Sequence, residues 1–125
     1  MSFKEYDNYD ALGLAELVKN KEVSAEELLE EAMQRTEKVD DQINAVVLKH
    51  YDEAKAMIKG GLPEGPFTGV PYLLKDLHVL LTGTKTTYGS KFFKDYVADH
   101  NSTLVDRYLE AGLVIFGKTN SPEFG

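Results

Sequence analysis

Phe67–Asp76, FTGVPYLLKD, is the stretch whose reading decides the fold. Gly69 and Pro71 open a short apolar run of Val70, Tyr72, Leu73 and Leu74 that closes on Lys75 and Asp76. A run of this length between Gly and Pro signals predicts a buried strand. Lys75 then stands at the strand's C-terminal end, where open α/β sheets gather their chemistry. Two readings of that lysine follow. At the edge of an apolar core the charged form of an amine is disfavoured, which makes it a candidate general base. Alternatively it is a solvated strand end whose stem lies along the sheet while the ammonium reaches water.

Downstream, the segment after Asp76 reads as a long ordered loop. It contains Gly83 and Gly89 and the hydroxyls Thr82, Thr84, Thr86, Thr87 and Ser90. These are either hydrogen-bonding support for Lys75 or ordinary turn chemistry, since Ser and Thr often bond their own backbone. Asn101 or Ser102 caps a predicted helix through about Glu110, with Leu104, Val105, Tyr108 and Leu109 inward and Gly112 as its left-handed stop. Leu113–Phe116 then reads as a buried strand. Strand, helix and strand make a βαβ unit, so the two strands are expected to be parallel with a right-handed crossover.

Upstream, the pattern is helical. Asp10 caps a helix over Ala11–Lys19, and Ser24 with Glu27 forms a capping box opening a helix to about Val39. That helix turns Leu28, Leu29, Ala32, Met33 and Thr36 inward, with Glu26, Glu30, Glu31, Arg35 and Lys38 outward. Ile43–Leu48 is a strand candidate, and Tyr51–Lys59 a helix stopped by Gly60 and Gly61. The Pro/Gly-rich stretch from Leu62 to Gly69 marks the border between a mainly helical part, residues 1–62, and a sheet-forming part, residues 66–125.

Composition narrows the function classes. With 125 residues there is room for one domain at most. Fourteen basic residues against 21 acidic leave a charge of −7, which argues against nucleic-acid backbones as partners. The chain has no cysteine, and His50, His78 and His100 lack metal-ligand spacing, so neither a disulfide scaffold nor a metal site is expected. The polar opening MSFKEYDNYD is unlike a signal peptide and no apolar run is long enough for a membrane helix, so a cytoplasmic location is expected, away from membranes. Gly112–Thr119, GLVIFGKT, spells the phosphate-loop pattern G-x-x-x-x-G-K-T. Its four middle residues are apolar and need burial, whereas a phosphate cradle needs exposed amides after a strand. Nucleotide binding is therefore the runner-up reading.

Three blocks in order carry a family resemblance: Gly69-Val70-Pro71 with Lys75-Asp76; Thr86-Thr87 with Gly89-Ser90; and Gly117-Lys118-Thr119-Asn120 with Pro122-Glu123-Phe124-Gly125. Together they resemble the amidase signature family, over about Pro66–Gly125. Leu77, after Lys75-Asp76, departs from the commoner asparagine and is similar to the branch that contains 6-aminohexanoate cyclic-dimer hydrolase.

The resemblance implies an α/β fold in which N-terminal helices precede a βαβ part of a mixed sheet. It implies a carboxamide hydrolase with a Ser–cis-Ser–Lys triad, Lys75 being the base, a small amide as substrate and no cofactor. Thr86, Ser90 and Asn120 are expected to support Lys75, and Asp76 either to support it by orienting it or to cap the loop behind it. No GGSSGG-like segment for the serine pair occurs in these residues. The chain is thus expected to form the N-terminal part of a longer enzyme, inactive alone and prone to self-association through an uncovered sheet edge. The glutamine-processing component of a tRNA-dependent amidotransferase is the alternative within the family.

Overall fold

Short-range signals set the helices. The computed structural model describes residues 3–125. Helix α1 spans Ala11–Lys19, and the Asp10 carboxylate accepts the N–H of Gly13 at 2.8 Å. Helix α2 spans Ala25–Ile43 behind the expected capping box: Glu27 N–H donates to Ser24 Oγ at 3.1 Å, and Ser24 N–H to the Glu27 carboxylate at 2.9 Å. Two amides that helix geometry leaves unpaired are thereby satisfied.

α2 runs a turn beyond the expected Val39, and Ile43 belongs to it rather than to a strand. The cause lies in its last turn. Asn44 takes a left-handed conformation with φ 48° and donates its N–H to Asp40 O at 2.7 Å. The Asp40 carboxylate also accepts the N–H groups of Ala45 and Val46, each at 2.8 Å. Strand β1 therefore begins late, at Val46–Lys49. Helix α3 follows at Tyr51–Lys59, strand β2 at Pro71–Lys75, helix α4 at Thr103–Glu110 and strand β3 at Val114–Thr119.

The sheet has the order β1-β3-β2. β2 and β3 are parallel, as a strand–helix–strand unit requires, and β1 joins β3 antiparallel. The β2–β3 register shifts by one residue between Tyr72 and Leu73, leaving Phe116 unpaired between Ile115 and Gly117. β3 is the central strand, and every residue from Val114 to Lys118 is buried. Val114 and Phe116 pack with Leu29, Ala32 and Met33 of α2 and Ala54 of α3. Ile115 packs with Leu74 of β2 and Val105 of α4. A third cluster joins Leu14 and Ala15 of α1 to Leu28, Val70 and Leu113. Helices thus cover the mixed sheet on both sides.

Gly112 shows why glycine ends α4. Its φ is +91°, and a Cβ there would run into the backbone and hydroxyl of Thr68.

Three expected details differ. Glu31, expected outward, is buried and accepts from Arg35 Nε at 2.8 Å, while Arg35 also reaches Asp7 at 2.6 Å. Leu104, expected inward, is exposed. Ser102 occupies the cap of α4, but its hydroxyl is committed to the preceding loop, accepting from Leu80 N–H at 2.9 Å and donating to His78 O at 3.1 Å.

Candidate active site

The parallel pair brings two lysines together at the C-terminal end of the sheet. Lys75 is the last residue of β2 and lies opposite Thr119; Lys118 is one step back on β3, opposite Leu74. Their environments differ completely. Lys75 is exposed, and among the described residues its ammonium has no hydrogen-bond or ion-pair partner. The exclusion from water that the sequence suggested for Lys75 is therefore not found in this chain, because β2 lies at an edge of the sheet.

Lys118 is the buried lysine, with 0% of its surface accessible. Its Nζ donates to Thr86 Oγ1 at 2.9 Å and to the carbonyl of Lys85. Burial pushes the amine down to about 8 from its ordinary 10.5, against the opposing pull of Asp76. His50, at the start of α3, belongs to the same electrostatic neighbourhood. Burial and then Lys118 hold its proton affinity below the usual range, and its Nε2 is buried without a partner among the described residues.

The main chain around Lys75 is firmly held. Asp76 N–H donates to Thr119 O at 2.9 Å, and Thr119 Oγ1 donates to Leu74 O at 3.3 Å. The Asp76 side chain, 2% exposed, accepts the Thr87 N–H at 2.7 Å and the Thr87 hydroxyl. A buried carboxylate with two donors is well satisfied. Thr86, fully buried, donates its N–H to Tyr96 O at 3.2 Å. Ser90 Oγ donates to Glu123 at 2.9 Å and accepts the Phe92 N–H at 3.3 Å.

Asp76, Thr86 and Ser90 thus belong to one loop-to-sheet network. Asn120 faces elsewhere: its Nδ2 donates to Asn44 O at 3.2 Å and its main-chain N–H to Ala45 O at 2.8 Å. These bonds tie the exit of β3 to the corner before β1.

The phosphate-loop spelling at 112–119 does not fold as one. Its residues Val114–Thr119 form β3, laddered to strands on both sides, and a Cβ at Gly117 would lie 2.6 Å from Leu48 O. Amides engaged in a ladder cannot wrap a phosphate.

Sequence reasoning did not single out Lys118 as a buried amine. The available signal was its position directly after an apolar run, the pattern of a strand covered on both faces, and that pattern does not say which strand takes the middle of the sheet.

The Amidase family model matches residues 27–125. The chain belongs to the amidase family. It is 44% identical over 118 residues to a 6-aminohexanoate-cyclic-dimer hydrolase of Paenarthrobacter ureafaciens, covering 93% of this chain and 24% of the relative. A lipoamidase of Enterococcus faecalis is 41% identical over 125 residues, with 97% of this chain and 17% of the relative covered. The solved structure of 6-aminohexanoate cyclic dimer hydrolase superposes with a TM-score of 0.86 at 43% identity, over 94% of this chain and 24% of that one. The chain therefore spans a quarter or less of the length of these relatives (24%, 17% and 24%).

Proposed function

We propose that this chain is the N-terminal portion of a carboxamide hydrolase and supplies the base of a Ser–cis-Ser–Lys triad through Lys75. The observation that carries this reading is the pairing of an unpartnered amine with a fixed backbone. The Lys75 side chain has no partner among the described residues, yet the residues on either side of it are fastened to Thr119. A base needs this combination: a side chain open to a reacting group, on a main chain that does not drift.

In the complete enzyme, uncharged Lys75 accepts a proton from the bridging cis-serine. That serine takes the proton of the nucleophilic serine, which attacks the amide carbonyl. An acyl-enzyme forms, the amine departs, and water releases the acid. Polypeptide packed over the β2 edge excludes water from Lys75 and favours its uncharged form. Asp76, Thr86 and Ser90 hold the surroundings, and Asn120 acts at most through the exit of β3.

The 44% identity to the cyclic-dimer hydrolase, together with Leu77, favours a small linear or cyclic amide as substrate over the glutamine of a tRNA-dependent amidotransferase. No helix among the described residues is long and apolar enough to cross a membrane. A cytoplasmic enzyme is the reading we favour, with no nucleic-acid partner.

The test uses the full-length polypeptide carrying this chain, with 6-aminohexanoate cyclic dimer as substrate. Lys75→Ala should abolish hydrolysis and leave the folded spectrum intact; near-normal turnover would remove Lys75 from the mechanism. The 125-residue chain alone should neither hydrolyse the dimer nor sediment as a monomer, because both outer strands of its sheet present free edges.

A further inference from the structure

We propose that Lys118 is a positioning residue: from the central strand it fastens the Lys85–Thr86 segment to the sheet, and through Thr87 and Asp76 this fixes the end of β2 that carries Lys75. The inference rests on the reading of Lys75 as the base, but its structural half can be tested without it.

The bonds form a continuous chain. Lys118 Nζ donates to Lys85 O and to Thr86 Oγ1. The next residue, Thr87, gives both its N–H and its hydroxyl to the carboxylate of Asp76. Asp76 follows Lys75 directly and donates its own N–H to Thr119, the neighbour of Lys118 on β3. The path therefore closes on itself, from β3 through the loop to the end of β2 and back to β3. Displacing Lys85–Thr86 would pull on Thr87, and Thr87 holds both oxygens of Asp76.

The choice of side chain at position 118 supports a role beyond filling space. A fully buried amine is costly to desolvate, and an apolar side chain of similar volume would fill the same site more cheaply. What the amine adds is donors, and both identified acceptors lie on the one loop. The far end of that loop has ties of its own, Ser90 to Glu123 and Phe124 N–H to Tyr88 O at 2.8 Å, and joins the near half where Ser90 N–H donates to Thr87 O at 2.9 Å. The half that reaches Asp76 also bonds to the 96–98 segment, through Thr86 N–H to Tyr96 O at 3.2 Å and a bridge between Lys85 and Val97, and Lys118 supplies its side-chain link to β3.

The experiment compares Lys118→Met, Thr86→Val, their double variant and Thr86→Ser in the full-length polypeptide, with 6-aminohexanoate cyclic dimer as the probe. Expected is a fall in kcat of about 30-fold or more in each single apolar variant, KM staying within about 2-fold, since positioning acts on the transition state. The double variant should be no worse than the poorer single one, because both break one path. Thr86→Ser, which keeps the acceptor, should restore turnover. Amide exchange at Thr87 should quicken about tenfold or more in Lys118→Met while α2 amides keep their protection. Unchanged Thr87 exchange, or kcat losses that simply multiply in the double variant, would overturn the proposal. If Lys118→Met fails to fold, the contrast between Thr86→Val and Thr86→Ser decides: equal activities overturn it. Should Lys75→Ala retain turnover, the base assignment falls, and Thr87 exchange still decides whether Lys118 holds the loop.

Discussion

Lys75 and Lys118 are the same residue on adjacent strands, and almost nothing else about them agrees. One ends an edge strand, exposed and without a partner among the described residues; the other lies in the middle strand, sealed from water and committed to two acceptors. The difference teaches that in this sheet position decides chemistry more than residue type. The central strand turns an amine into a structural anchor, whereas the edge leaves one available for whatever docks beside it. Burial and a lowered proton affinity, the usual marks of an active group, belong to Lys118. Family membership and the C-terminal location on an edge strand favour Lys75.

The sharpest way to break this contrast is through turnover. In the full-length polypeptide, Lys75→Ala should lower the rate of amide hydrolysis by about a hundredfold or more, the scale of general acid–base catalysis. In the 125-residue chain the same change should move the thermal midpoint little, because there Lys75 is an exposed, unpartnered side chain. A large loss of stability would show that Lys75 is anchored in the way Lys118 is.

Next in size, Lys118→Ala should destabilise the fold by about 2–4 kcal/mol in urea titrations, the cost of emptying a buried site. Lys118→Met should stay within about 1 kcal/mol of the parent near neutral pH, because the lost bonds and the relieved desolvation offset each other. If Met were as damaging as Ala, the amine itself would be the main stabilising element.

The titration of Lys118 gives a smaller signature with a definite sign. Its folded value of about 8 lies below the 10.5 of the open chain, so between these values the unfolded chain binds more protons. Stability against urea should therefore rise as pH goes from about 8 towards 10.5, and Lys118→Met should lose that rise. His50 works in the same sense at lower pH. Its folded value is depressed from 6.5, so its contribution is present above 6.5 and is lost as pH falls below it. A parent protein whose stability is flat from pH 8 to 10.5 would mean that Lys118 is solvated. Smallest of all, Ser24→Ala should cost about 1 kcal/mol, the usual worth of a helix cap, with no effect on either lysine. This serves as a control for general loosening.

Much of the architecture was legible because its causes are short-range. Asp10, the Ser24–Glu27 box and Gly60 bracket helices whose bounds follow from three- or four-residue spacings, and Ala11–Lys19, Tyr51–Lys59 and Thr103–Glu110 fall where the sequence puts them. Long-range causes were not legible. Glu31 is buried within a cluster whose Arg35 also binds Asp7, 28 residues away from it. Ser102 reads as a cap, yet its hydroxyl serves a loop 22 and 24 residues upstream. At the candidate site, Lys75 and its strand could be read from apolar patterning, and Asp76, Thr86 and Ser90 from the family blocks. The burial of Lys118 could not, since it depends on which strand takes the middle of the sheet.

The one-residue slip between β2 and β3 has an electrostatic consequence. Had pairing continued from Tyr72–Ile115 without the extra Phe116, Lys75 would sit beside Lys118 instead of Thr119. Laterally matched residues share a face of a sheet, so the two ammonium groups would have been forced into mutual repulsion. The inserted Phe116 moves Lys75 one step along, opposite Thr119, so that by strand alternation the two amines leave the sheet by opposite faces.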